Sequence, residues 1–154
     1  MDSAYYFDSS ALVKRYLAET GSTWVQVQCN NPAHVIATVD LSRVEIAAAF
    51  AGKLRAGFLT QTEYRKARRR LEDDAQRRYQ LIAVAPQRVD EAIELTVRHR
   101  LRGYDAVHLA CALHLNQALR TNNLPPLILV AADDDLLRAA QAEGLKTENP
   151  NLHP

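Results

Sequence analysis

Short apolar segments alternate with helical patterns along this chain of 154 residues. Five segments have the composition of β-strands, and they cover residues 5–7, 35–38, 81–84, 127–131 and, as a short edge strand, 146–148. Several are apolar throughout, which is typical of parallel strands covered on both faces. The alternation therefore predicts an α/β fold in which a central parallel sheet lies between helices.

Local signals mark where the helices begin and end. Thr60 and Glu63 have the spacing of a capping box, Pro86 suits a first helical turn, and Gly57 suits a helix end. The expected helices begin after Ser9 and at residues 22, 42, 60, 86, 104 and 134. No repeat or linker interrupts this order, so a single domain spanning residues 1–154 is expected.

Composition narrows the class of protein. With 47% hydrophobic residues, the chain can bury a core without disulfides, so Cys29 and Cys111 are expected to be reduced thiols. Asp2 stands where a secretory signal would carry basic residues, and no apolar stretch has the length of a membrane span. We therefore expect a cytoplasmic protein with no membrane partner.

Four acidic residues stand at strand ends or in the first turns of helices: Asp8, Glu45, Asp105 and Asp133. Sites in open parallel sheets form outside the carboxyl ends of the strands, so these side chains are expected to converge there. At about 4 Å and an effective dielectric of about 20, each like-charged pair costs roughly 4 kcal/mol. A divalent cation would reverse that sign, and carboxylate oxygens suit Mg²⁺.

Three of the four acids also have a simpler structural explanation. Asp8 could cap the following helix, and Glu45 could complete a capping box with Ser42. One of the acids from Asp133 to Asp135 is expected to cap the last helix; Asp133 is our choice for the cleft and Asp134 the reserve.

Asp105 is the strongest single candidate, because it heads a helix that is apolar around most of its circumference. His108 follows one turn later, and it is expected to be a hydrogen-bonded core residue rather than a ligand.

Basic residues fall into two groups. The segment RKARRRLEDDAQRR offers several i,i+4 pairs of opposite charge, such as Arg69 with Asp73 and Arg70 with Asp74, which favours a solvated, self-neutralising helix face. Four other cations lie nearer the acids in sequence and are the candidates for contacting phosphates: Lys14, Arg15, Arg43 and Arg102.

Four segments in this order resemble the PIN-domain family, and specifically the VapC-like toxins of bacterial type II toxin–antitoxin systems. They are FDSSALVKRY, LSRVEIAAA, LRGYDAVHLACAL and LVAADDDLLRAAQAEGL. The resemblance implies a three-layer α/β/α sandwich, Mg²⁺ or Mn²⁺ in the acidic cleft, and endonucleolytic cleavage of RNA. It also implies a small antitoxin that blocks the cleft, and frequently a homodimer.

Carried over by position, the resemblance assigns Asp8, Glu45, Asp105 and Asp133 to catalysis and metal binding. The family often has Ser or Thr two residues before the last acid, where this chain has Ala131, so a hydroxyl that could assist the substrate or a metal-bound water is absent here. Two alternatives have other functions: a PIN-like module that only binds RNA or a partner, and a phosphoacceptor receiver domain. The receiver needs an Asp after its central strand, where this chain has Ala85.

Overall fold

The computed structural model describes residues 2–154, which form one five-stranded sheet with helices on both faces. All neighbouring strands pair in parallel, in the order β3-β2-β1-β4-β5. The strands are β1 (Ala4–Phe7), β2 (Val35–Val39), β3 (Tyr79–Ile82), β4 (Ile128–Val130) and β5 (Lys146–Glu148). The predicted α/β class is confirmed.

Seven α-helices connect these strands. They are α1 (Ser9–Leu12), α2 (Ser22–Asn30), α3 (Ser42–Arg55), α4 (Gln61–Arg77), α5 (Pro86–Arg98), α6 (Gly103–Thr121) and α7 (Asp134–Ala142). Short 3₁₀ turns follow α1 at Val13–Arg15 and β5 at Pro150–Leu152. Within residues 2–154, none of these helices has the length and apolar character needed to cross a membrane.

Successive side chains of β1 point to opposite faces of the sheet and so enter two separate cores. Phe7 packs with residues of α1 to α4, including Phe50 and Leu71. Tyr6 packs on the other face with residues of α5 to α7, including Leu109. Two buried cores on either side of one sheet confirm the expected three-layer α/β/α sandwich.

The third strand differs from its predicted position, which was residues 81–84. It begins two residues earlier because Tyr79 is buried and pairs with Ile36 of β2, and the ladder ends at Ile82 opposite Val39. The capping box at the start of α4 is present as predicted. Glu63 donates its backbone N–H to the Thr60 hydroxyl at 3.1 Å, and the Glu63 carboxylate accepts from the Thr60 N–H at 2.9 Å.

The predicted i,i+4 ion pairs of α4 are not formed in the part of the chain that the structure describes. The acids on this helix instead turn toward other elements: Asp74 pairs with Arg15 at 2.8 Å, and Glu72 pairs with Arg43 at 2.7 Å. The Arg15–Asp74 pair is largely buried, and Asp74 also accepts a hydrogen bond from the Tyr16 hydroxyl at 2.7 Å. Helix α4 is therefore tied to the turn after α1 by tertiary contacts.

Replacing Asp74 with Ala is expected to lower the free energy of unfolding by about 3–5 kcal/mol, because it leaves the buried Arg15 guanidinium without its countercharge. The exposed neighbour Asp73 provides the matched control, since Asp73→Ala should stay within about 0.5 kcal/mol of wild type. Urea unfolding of the two variants measures the difference. Equal losses of unfolding free energy in the two variants would show that the buried pair stabilises the fold no more than the exposed carboxylate does.

Candidate functional site

The order of the strands reverses between β1 and β4, and a crevice opens there beyond their carboxyl ends. Asp8 follows β1 directly, and its backbone N–H still bonds the Val130 carbonyl of β4 at 3.1 Å. The Ser10 hydroxyl spans the same gap, because it accepts a hydrogen bond from the Ala132 N–H at 3.1 Å. These contacts fix the start of α1 against the segment that leads to Asp133.

Asp8 is only 2% exposed, and it does cap α1, as its simpler explanation required. One carboxylate oxygen accepts from the Ala11 N–H at 3.0 Å, and the Ser10 hydroxyl donates to both oxygens at 2.7 and 2.8 Å. The pKa of Asp8 is nevertheless raised to about 6. Burial is the largest cause and the Asp105 charge adds to it, whereas His108 and these hydrogen bonds lower the pKa. Among residues 2–154, the buried Asp8 carboxylate forms no ion pair that would neutralise it.

Asp105 and Asp133 are brought together by one guanidinium group. The Arg102 Nε lies 3.0 Å from an Asp105 oxygen, and Arg102 Nη2 lies 3.5 Å from an Asp133 oxygen. The Arg102 side chain is 78% exposed, so this contact is open to exchange with other cations. Asp133 also caps α7 by accepting from the Leu136 N–H at 2.9 Å. Asp134, the predicted alternative to Asp133, lines a different surface depression together with Leu137.

Glu45 does not form the capping box with Ser42 that the sequence allowed. The Ser42 hydroxyl bonds the Thr38 hydroxyl at 2.8 Å instead, and the Glu45 carboxylate lies 3.2 Å from His108 Nε2. Burial alone would raise the pKa of Glu45, but hydrogen bonds from His108 and Ser9 outweigh it, and the pKa is lowered. Glu45 is therefore held in its ionised form.

His108, which the sequence analysis predicted to lie in the core, also contacts a residue of the candidate site. It is 1% exposed, and its Nδ1 lies 2.7 Å from the Tyr6 hydroxyl while Nε2 faces Glu45. The expectation of a hydrogen-bonded core histidine is confirmed, but one of its partners is a candidate ligand. Tyr104 packs edge-on against His108, and burial together with the nearby Glu45 carboxylate raises the pKa of the Tyr104 hydroxyl.

The site has some of the features that a divalent cation requires. Among residues 2–154, no three acidic, His or Cys side chains form a ready-made ligand set. Two features nevertheless suit a cation: the unneutralised Asp8 carboxylate and the Arg102 guanidinium acting as a counter-ion between two acids. Mg²⁺ keeps several waters and needs only one or two protein carboxylates, so such an open arrangement is compatible with it.

The four cations predicted to contact phosphates lie in different environments. Lys14 and Arg15 are buried, with Lys14 paired to Glu19 at 3.2 Å and Arg15 to Asp74, and this disagrees with their expected exposure to RNA. Both lie in the 3₁₀ turn after α1, and Arg15 also donates to Asn30 at 2.9 Å. Arg43 is half-buried between Asp40 and Glu72.

Of these four cations, Arg102 alone contacts candidate metal ligands, namely Asp105 and Asp133. Together with the exposed Arg100 it lines an open cleft of about 440 Å³ that also includes Asp105 and Asp133. Arg100 was missed in the sequence, although its place two residues before Arg102 was a visible signal. No sequence pattern pointed to Tyr6, which lies in the middle of an apolar strand.

The sequence model of the PIN domain matches residues 5–142. The chain belongs to the PIN-domain family. It is 34% identical over 151 residues to Ribonuclease VapC45 and to Ribonuclease VapC49, from two strains of Mycobacterium tuberculosis. Each alignment covers 97% of this chain and 97% of the relative.

Solved PIN-like structures share the fold at low sequence identity. VapC20 of Mycobacterium tuberculosis, a sarcin-ricin loop cleaving toxin, superposes with a TM-score of 0.60 at 15% identity, covering 92% of this chain and 95% of that one. A toxin–antitoxin complex from Klebsiella pneumoniae gives a TM-score of 0.55 at 14% identity, covering 95% and 97%. These superpositions support the fold assignment of this PIN-domain chain.

Replacing Asp8 with Asn is expected to stabilise the metal-free protein above pH 6. The pKa of Asp8 is about 6 in the folded state and ordinary, near 4, in the unfolded chain, so the folded state binds more protons between those values. Wild-type stability therefore falls as pH rises through this window, whereas the amide of the variant does not titrate. The advantage of Asp8→Asn should approach about 3 kcal/mol at pH 7 and vanish near pH 4.

Chemical denaturation in EDTA at several pH values measures this difference. Asp90→Asn is the control, because Asp90 is exposed and has no ion pair in the described structure. An Asp8→Asn variant that is less stable than wild type at pH 7 would contradict the assignment of an unneutralised carboxylate.

Proposed function

We propose that this PIN-domain protein is a metal-dependent endoribonuclease that hydrolyses RNA phosphodiester bonds, and the toxin of a type II toxin–antitoxin pair. The observation that carries the proposal is the buried, unneutralised Asp8 carboxylate beside Asp105 at the switch point of the sheet. The names of the relatives support the chemistry, because both are ribonucleases aligned over nearly the whole chain.

Asp8 and Asp105 are the proposed direct ligands of Mg²⁺ or Mn²⁺, and Glu45 and Asp133 bind directly or through water. The bound ion would supply a water of lowered pKa for attack and would neutralise charge that develops on the phosphate. The protein's own part is to hold the acids in place: Ser10 and the Ala11 N–H fix Asp8, and the start of α7 fixes Asp133.

Arg102 is proposed to exchange partners when substrate binds. It contacts Asp105 and Asp133 in the protein alone, and a cation at these acids would weaken its attraction to them. The exposed guanidinium would then be available to an RNA phosphate, which it suits by its fork of donors. Arg100 lies on the same cleft and is the proposed second phosphate contact.

The proposed partner is a small antitoxin that covers the cleft, and the proposed compartment is the cytoplasm. Fold neighbours solved as toxin–antitoxin assemblies, including VapBC2 of Rickettsia felis, support such a partner. A homodimer is also proposed. Val89, Ile93 and Val97 lie on one face of α5 and are 43%, 55% and 78% exposed, an apolar stripe that favours burial against another surface.

Asp105→Asn is expected to lower RNA cleavage by about 100-fold or more while leaving the fold intact. The substitution keeps the shape of the side chain but removes the charge that attracts the cation, and even outer partners of metal ligands are worth about 10–100-fold. Cleavage of a labelled RNA pool in Mg²⁺, beside circular dichroism, measures both effects. Growth inhibition on expression without a partner should be relieved by the same variant.

Asp90→Asn, an exposed change far from any candidate ligand in sequence, should cleave like wild type. Undiminished cleavage by a well-folded Asp105→Asn protein would remove Asp105 from the site. RNA binding without any metal-stimulated cleavage by the wild type would favour the alternative, a PIN-like module that only binds RNA or a partner.

Arg102→Gln is expected to weaken RNA binding and to reduce the slope of log K against log salt by about 0.7, the value for one phosphate contact on a single strand. Arg120→Gln is the matched control, because Arg120 is exposed at the far end of α6. Binding is measured on a cleavage-dead Asp105→Asn background by fluorescence anisotropy. An equal change at Arg120 would place the RNA elsewhere on the surface.

A further inference from the structure

The buried side chain of His108 connects a core tyrosine to Glu45, a candidate metal ligand. Tyr6 is fully buried on β1, His108 is 1% exposed on α6, and the Glu45 side chain on α3 is 34% exposed. The two ring nitrogens of His108 contact the other two residues at 2.7 and 3.2 Å. A continuous hydrogen-bonded chain therefore runs from the sheet to Glu45.

The chemistry of the partners fixes which nitrogen of His108 carries a proton toward the cleft. An ionised carboxylate can only accept hydrogen bonds, so Nε2 must be the donor to Glu45. The opposite nitrogen either accepts from the Tyr6 hydroxyl or donates to it, and both arrangements keep the Nε2–H directed at Glu45. The orientation of the imidazole is thus set from the core.

His108 also shares a helix face with Asp105, which lies three residues earlier on α6. The bond from His108 to Glu45 consequently fixes the position of α3 relative to the helix that carries Asp105. It engages one oxygen of Glu45, Oε1, and the Glu45 side chain as a whole remains 34% exposed.

We propose that His108 is a positioning residue: through its Nε2–H it holds the Glu45 carboxylate in the place and orientation needed to bind the divalent cation or its water shell. This inference rests on the proposed metal-dependent function. If the role of His108 were purely structural, a variant that kept only the bond to Tyr6 and one that kept only the bond to Glu45 would support the core equally well. A positioning histidine must retain the bond to Glu45.

Two substitutions separate these roles. In His108→Gln the amide nitrogen occupies roughly the place of Nε2 and can still donate to Glu45. In His108→Asn the shorter amide can reach only toward Tyr6. Mn²⁺ affinity, measured by calorimetry without RNA, should fall about 10–100-fold in His108→Asn and stay within about twofold of wild type in His108→Gln.

The effect must also depend on Glu45. In a Glu45→Gln background, His108→Asn should cause no further loss of Mn²⁺ affinity, because the group that it positions is already gone. Equal losses in the Asn and Gln variants, or a loss that persists in Glu45→Gln, would overturn the inference. So would a wild-type protein that does not bind Mn²⁺.

Should His108→Asn fail to fold, the double variant Tyr6→Phe with His108→Leu removes the whole buried polar pair and leaves no unsatisfied hydroxyl. It should fold and show the same loss of Mn²⁺ affinity, and wild-type affinity in this variant would overturn the inference. Wild-type protein that binds Mn²⁺ but cleaves no RNA, with the Glu45 dependence intact, would support the positioning role and refute the ribonuclease proposal.

Discussion

The site is organised around one electrostatic constraint, a carboxylate buried at the end of the central strand. Asp8 follows β1, the middle strand of the sheet, where the cores of both layers exclude water. A charge at such a position is costly unless hydrogen bonds and opposite charge replace the lost solvent. Ser10, the Ala11 N–H and His108 supply part of that replacement, and the raised pKa of Asp8 shows that they do not supply all of it.

The helix that Asp8 caps could not hold the carboxylate in place by itself. Helix α1 has only four residues, and isolated helices of that length are unstable in water. Its position depends on the turn that follows it, where Arg15 is bound to Asp74 of α4 and to Asn30 of α2. The long charged helix therefore contributes to the site indirectly, by anchoring the segment that begins at Asp8.

Local patterns predicted most of the fold because the signals that define its elements lie within a few residues of one another. Alternating strands and helices, the Thr60 capping box and the acids at element ends all follow from short-range spacing. Such spacing could not reveal competition from distant partners. An i,i+4 pair is worth only about 0.2–0.5 kcal/mol, so Asp74 of α4 exchanges that weak partner for the buried Arg15. Ser42 likewise bonds Thr38 rather than Glu45.

The acids of the site differ in how far the protein alone compensates for their charge, and this difference would link folding to the proposed metal binding. Glu45 has a lowered pKa because His108 and nearby hydroxyls compensate for its burial, whereas the pKa of Asp8 is raised. A cation that binds near Asp8 would therefore relieve a cost already present in the folded chain, and that relief adds to its affinity. Full neutralisation of Asp8 by a protein group would stabilise the fold and weaken this attraction. The incomplete neutralisation of Asp8 is thus the feature that would favour binding of the proposed cation over a more stable metal-free protein.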